Sequence, residues 1–180
     1  MKRSDQAAVL RRQAVEDDDL LTSVPLDILQ AIGAVAVNFA QLEESLSHAI
    51  WFLIADRNEG VQLYHRAITA ELSFRQRVWM YANTFKERYN PSDVWLQGIV
   101  KRCFELEASR NAFLHSVWRA WIPKKPGSAI RLKASARHRV VTKRHDHSRG
   151  ELVHLARSLR FLGAEIESAA LNAFANRVLP

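Results

Sequence analysis

The stretch PLDILQAIGAVAVNFAQLEESLSHAIWFLI, residues 25–54, decides the fold. Its apolar side chains fall at Ile28, Ile32, Val35, Phe39, Leu42, Leu46, Ala49 and Leu53. Successive steps alternate between four and three residues, the spacing that turns one face of a long α-helix toward a core. Pro25 suits the first turn, where a missing N–H costs nothing. The cluster Asp56-Arg57-Asn58-Glu59-Gly60 predicts the stop. Asp27, Gln30 and Asn38 interrupt the apolar run from Val24 to Phe39. It therefore reads as a buried helix and not as a membrane span.

Working outward, a short helix is predicted over residues 61–70 and a longer one over 73–89, with Val78, Tyr81, Ala82 and Phe85 on one side. Asn90-Pro91-Ser92-Asp93 is a stop followed by a capping start. A fourth helix is expected from about 94 to 121, its stripe running through Trp95, Ile99, Cys103, Leu106, Arg110, Phe113 and Val117. Pro123 to Gly127 should end it. Residues 130–142 alternate weakly, which fits either a short hairpin or a disordered loop. Residues 148–177 carry a last helix marked by Leu152, Leu155, Leu159, Leu162, Ile166 and Phe174. The expected architecture is all-α: a bundle of four long helices and one short one, with a basic insert at about 123–148 before the last helix. Residues 1–23 read as a flexible leader, and 24–180 as one helical domain.

Composition closes off other classes. The 180 residues are 48% hydrophobic and 25% charged, enough to build a core. Six glycines and five prolines are few for a sandwich or barrel of tight turns. The single Cys103 excludes an internal disulfide framework and any cysteine-rich zinc module, and it fits a reducing cytoplasm. The apolar run Ala7-Ala8-Val9-Leu10 is too short for a signal peptide. No phosphate-cradling glycine loop is present.

The net charge of +7 is unevenly spread. Ten of the 26 basic residues lie between Arg119 and Arg149, opposed by Asp146 alone. They are Arg119, Lys124, Lys125, Arg131, Lys133, Arg137, Arg139, Lys143, Arg144 and Arg149. The rest of the chain holds 16 basic and 18 acidic residues. A patch so concentrated points to a polyanion, with nucleic acid ahead of a membrane because no amphipathic helix accompanies it.

Arg110 sits on the apolar stripe of the fourth helix, where an arginine is costly unless paired or used. Asn111 follows it, and His115 comes five residues after Arg110. Guanidinium binds phosphate through two hydrogen bonds and stabilises charge developing there. Imidazole titrates near neutral pH and can move a hydroxyl proton. Together they suit phosphodiester chemistry without a metal. Glu43, at the edge of the first stripe, is the expected neutralising partner of Arg110, with Glu44 as the alternative.

Arg110-Asn111-x-x-x-His115 resembles the R-x4-H motif of HEPN (higher eukaryotes and prokaryotes nucleotide-binding) domains. The likeness of architecture extends loosely over residues 25–178, and the motif covers six. The resemblance implies a metal-independent endoribonuclease of the toxin or antiphage-effector kind, needing no cofactor. It implies a homodimer whose two motifs face each other across a cleft, and for a toxin an antitoxin protein as partner. By the same resemblance His115 assists attack of a ribose 2′-hydroxyl, Arg110 holds the phosphate and Asn111 orients groups. The basic insert would hold the RNA backbone.

Two other readings stay open on the residues alone: a non-catalytic nucleic-acid- or nucleotide-binding protein, and a structural dimerisation module. His138, His145 and His147 read as solvated or substrate-contacting more readily than as metal ligands. Trp118 and Trp121 read as core or interface residues, with base stacking as a further option.

Overall fold

The computed structural model describes residues 24–54, 65–89, 91–119, 128–135 and 141–178. Among them run helices α1 (Leu26–Ile54), α2 (His65–Ala70), α3 (Phe74–Tyr89) and α4 (Asp93–Leu114). Strands β1 (Val117–Arg119), β2 (Ser128–Ser135) and β3 (Val141–Ser148) follow, then helix α5 (Arg149–Val178). The chain is a helical bundle, and the segment before its last helix is an antiparallel sheet of order β1-β2-β3. The expected leader, the 56–60 turn and the linking parts of the basic insert lie outside the described residues, as do His138, Trp121, Lys124, Lys125, Arg137 and Arg139.

Local chemistry explains the helix boundaries. The Pro25 carbonyl accepts the amides of Ile28 and Leu29, and Asp27 sits in the first turn, where a negative charge suits the helix dipole. Ser73 and Gln76 form a reciprocal cap at the start of α3. The Ser73 amide donates to Gln76 Oε1 at 2.8 Å, and the Gln76 amide donates to Ser73 Oγ at 3.4 Å. Ser148 and Glu151 repeat this device at α5, with both bonds at 3.3 Å. Arginines close two helix ends. Arg88 Nη1 donates to the Leu53 carbonyl at 2.9 Å, and Arg77 donates to the Thr69 carbonyl through Nε and Nη2. Each arginine thus binds a carbonyl in the last turn of a helix.

The chain divides into two compact units. Of the described residues, 34–111 and 154–178 form one. There α1 and α3 meet through Phe39 and Phe74, whose ring centroids are 4.8 Å apart. Helices α3 and α4 meet through Phe85 and Trp95 at 5.4 Å, and α1 and α5 through Phe52 and Phe174 at 6.0 Å. Arg102 of α4 forks onto Glu165 of α5 at 2.8 and 2.7 Å. Four helices thus close a ring around Val35, Leu42, Leu46, Leu53, Val78, Tyr81, Ile99, Leu159 and Ile166, all fully buried or nearly so. Gly163 lets α5 approach α1: a Cβ there would lie 3.2 Å from Ser45 Oγ. Of the predicted stripe of α1, Ile32 is half-buried and Ala31 takes the core position beside it.

Of the described residues, 24–33, 112–119, 128–135 and 141–153 form the second unit. Val24, Ile28, Ala31 and Leu152 are its buried apolar side chains among the described residues. It corrects one expectation. The fourth helix stops at Leu114 and does not continue to 121. Val117 to Arg119 pair with Leu132 to Ile130 in β1 and β2. The helical spacing of Phe113 and Val117 was coincidental there. Val117 and Trp118 favour a pleated strand, and pairing with β2 satisfies backbone groups that a helix would have satisfied. The basic insert resolves toward the hairpin alternative, with β2 and β3 in register from Ser128↔Ser148 to Ser135↔Val141.

Candidate active site

Arg110 lies one turn from the end of α4 and is half-buried. Its Cζ stands 4.4 Å from the centroid of the Phe39 ring. Nη1 donates to Asn111 Oδ1 at 2.8 Å. Nε is buried and has no hydrogen-bond partner among the described residues. Phe39 is fixed in turn by Phe74. The guanidinium therefore rests on a ring face and an amide. The attraction to the ring quadrupole holds a cation without cancelling its charge, as a carboxylate would.

Glu43 is not brought to Arg110. Its carboxylate lies 3.4 Å from Arg77 Nη1, on a guanidinium that also caps α2. Helix α3 stands beside α1 in the ring, so a carboxylate at the edge of the α1 stripe finds the α3 arginine. Glu44 turns to His48, with Oε1 3.1 Å from Nε2. Glu107, one turn before Arg110, binds Arg75 Nε at 2.8 Å. The two α1 carboxylates expected near Arg110 and the one carboxylate a turn before it are thus paired with other cations. Among the described residues none pairs with Arg110.

His115 is the first residue after α4, in a turn, and is exposed. It belongs to the second unit, as Arg110 and Asn111 belong to the first. Close to it in sequence, the Ser116 hydroxyl donates to the Ala112 carbonyl, and Trp118 Nε1 donates to the Phe113 carbonyl at 2.9 Å. Both bonds tie the turn back to the last turn of α4.

The basic residues expected on RNA fall on strands where they are described. Arg119 is on β1, Arg131 and Lys133 on β2, and Lys143 and Arg144 on β3. Beside them is a cluster that the sequence reading left unconnected. The His147 ring stands edge-on to Phe113 at 4.7 Å and 6.1 Å from Trp118. Its Nδ1 lies 2.9 Å from Glu151 Oε2, and its Nε2 is buried with no hydrogen-bond partner among the described residues. The exposed His145 ring lies nearly parallel to it at 6.1 Å. Alternation along β3 was the available signal, because it places 145 and 147 on one face.

Among the described residues no group of three or more histidines, cysteines or acids has the arrangement of a metal site. No helix there is long and apolar enough to cross a membrane. Cys103 is buried on α4, and burial pushes its thiol up to about 12, the behaviour of a packed core sulfur. Burial likewise raises the Tyr81 phenol. Both belong to the core and not to the site. No protein-family model matches the chain, and comparisons with curated proteins and with solved structures also give no match.

Proposed function

We propose that this chain is a metal-independent endoribonuclease of the HEPN type, with Arg110, Asn111 and His115 as its reactive set. The observation that supports it most is the setting of Arg110. Its guanidinium is half-buried, oriented by Phe39 and Asn111, and opposed by no described carboxylate. A cation held in place with its charge intact is suited to grip a phosphodiester and to stabilise the extra negative charge of the pentacovalent transition state.

In this reading His115 takes the proton from a ribose 2′-hydroxyl. The oxygen attacks the adjacent phosphorus, the bond to the 5′-oxygen breaks, and that oxygen leaves with a proton. The products are a 2′,3′-cyclic phosphate and a 5′-hydroxyl. Asn111 spends its carbonyl on Arg110, which leaves its amide N–H groups to orient the substrate. The exposure of His115 gives RNA access to it. A homodimer, in which each copy supplies one motif to a shared cleft, completes the site. An antitoxin protein would be the natural partner of such an enzyme in the cytoplasm.

The test is cleavage of labelled single-stranded RNA in EDTA by wild type, Arg110→Ala and His115→Ala, each checked for folding by circular dichroism. The expected result is cyclic-phosphate ends from wild type and a loss of 100-fold or more in both variants, on the order of a general acid–base or charge-stabilising group. Equal activity in wild type and both variants would overturn the assignment. The basic hairpin favours one second reading, a nucleic-acid-binding protein without catalysis, and salt-sensitive binding with no cleavage would select it.

A further inference from the structure

Five of the ten basic residues between Arg119 and Arg149 lie on the described strands, and the register sorts them. Trp118, Arg131 and His145 are register partners in one row across β1, β2 and β3. Directly opposed residues of antiparallel strands share a face, and so do residues two apart along a strand. Lys133 and Lys143 oppose each other one row along, and His147 opposes Ala129 one row the other way. One face thus carries Trp118, Arg131, Lys133, Lys143, His145 and His147 at its register positions. The other carries Val117, Arg119, Ile130, Leu132, Arg144 and Asp146. The first set of positions combines Trp118, His145 and His147 with three cations and no acid, and the second sets Val117, Ile130 and Leu132 beside two cations and Asp146. The ring contacts of His147 with His145 and Trp118 agree with this sorting.

We infer that the Trp118–Arg131–His145 face of the sheet binds single-stranded RNA. This rests on the RNA reading above and adds the form of RNA taken and the residues that take it. Unpaired bases offer faces that stack on aromatic side chains, and those of a duplex are already stacked. His145 is exposed and stands at the outer end of the ring cluster, with its ring available to a base. Trp118 is fixed by its indole hydrogen bond to the Phe113 carbonyl, so little freedom is lost when it is covered. Lys133 and Lys143 occupy directly opposed register positions, a pairing of like-charged residue types that favours an anionic ligand. A phosphate backbone crossing the strands supplies that anion.

The experiment measures binding of a fluorescent 2′-O-methyl oligoribonucleotide, which lacks the attacking hydroxyl, to the full chain at two salt concentrations. Three variants are compared with wild type: Arg131→Gln/Lys133→Gln/Lys143→Gln, Arg119→Gln/Arg144→Gln, and His145→Ala. The triple variant is expected to bind at least tenfold more weakly, with a salt slope shallower by about 2, as for three lost contacts to a single strand. The double variant should lose clearly less than the triple, because it keeps the row of Trp118, Arg131 and His145. His145→Ala, at an exposed position, should weaken binding about fivefold or more through lost stacking. A duplex of the same sequence should bind more weakly than the single strand. Equal losses in the triple and double variants, no loss in the triple, a duplex preference, or no binding by wild type each overturns the inference. Wild type that binds through this face but cleaves no RNA would refute the nuclease reading and leave the face standing. Cleavage that survives with binding indifferent to the face would do the reverse.

Discussion

Phe39 and Arg110 should be energetically coupled, and a double-mutant cycle measures the coupling directly. The perturbations are Phe39→Leu, Arg110→Met and the pair. Phe39 is buried at 4% exposure, with the Phe74 ring at 4.8 Å and the guanidinium at 4.4 Å. Phe39→Leu gives up the ring pair with Phe74, about 1 kcal/mol, together with part of its own packing. It also gives up the contact with Arg110, about 1–2 kcal/mol for a cation–π pair shielded from water. Arg110→Met removes that contact as well, plus the Asn111 bond, while keeping an aliphatic stem of similar length. The Phe74 and Asn111 losses cancel in the cycle, so the coupling that remains is about 1–2 kcal/mol. Urea denaturation followed by circular dichroism reads it, and a chain of this size should show a few degrees in Tm for the same interaction. Single-variant losses that simply add, with coupling inside about 0.3 kcal/mol, would show that the ring is not what holds the guanidinium. The physical basis for an uncancelled charge at Arg110 would then be gone.

Gly163→Val should destabilise by about 1–3 kcal/mol in urea, because the new side chain meets Ser45 where α5 crosses α1. A neutral result would mean that these helices separate more easily than their spacing implies. The fork from Arg102 holds the Glu165 carboxyl below its usual range. Its folded pKa is lowered, so its stabilisation is complete above the unfolded pKa and fades as pH falls through the folded one. Glu165→Gln should therefore lower stability at pH 7 and make no difference at about pH 2. The gap should stay below about 1 kcal/mol, because both partners are more than a third exposed. A gap of the same size at both pH values would contradict the assignment. The Cys103 thiol, raised to about 12 by burial, should resist a disulfide reagent at pH 8 in the native protein and react once per chain in denaturant. Rapid native labelling would show that α4 opens readily.

The helices were legible because their signals are local. The four-and-three spacing of α1 and the Ser92-Asp93 start of α4 act within a turn or two of the residues that carry them. Proline and glycine punctuation does the same. The sheet was legible only as an alternative, since weak alternation in 130–142 fits a loop as well as a strand until a partner strand supplies hydrogen bonds. The end of α4 was misread for the same reason. Val117 keeps the helical step from Phe113, and only pairing with Leu132 decides that it leaves the helix. At the site, Arg110 stood out because an arginine on an apolar stripe violates a local rule. Its support did not stand out, because Phe39 lies on another helix and looks in sequence like any core residue. The partner of Glu43 was missed on the same ground: the choice between Arg77 and Arg110 is set by which helix stands beside α1.

Between Leu114, where α4 ends, and Val117, where β1 begins, the chain has only His115 and Ser116. So short a connection leaves no slack. Chain length is consequently under as much constraint here as residue identity. One residue inserted after Ser116 would shift β1 by a single step and exchange its two faces. Trp118 would then leave the row of Arg131 and His145, although no side chain in the protein had been replaced. Natural variation in this turn is therefore expected as substitutions, and length changes are expected in the link between β1 and β2.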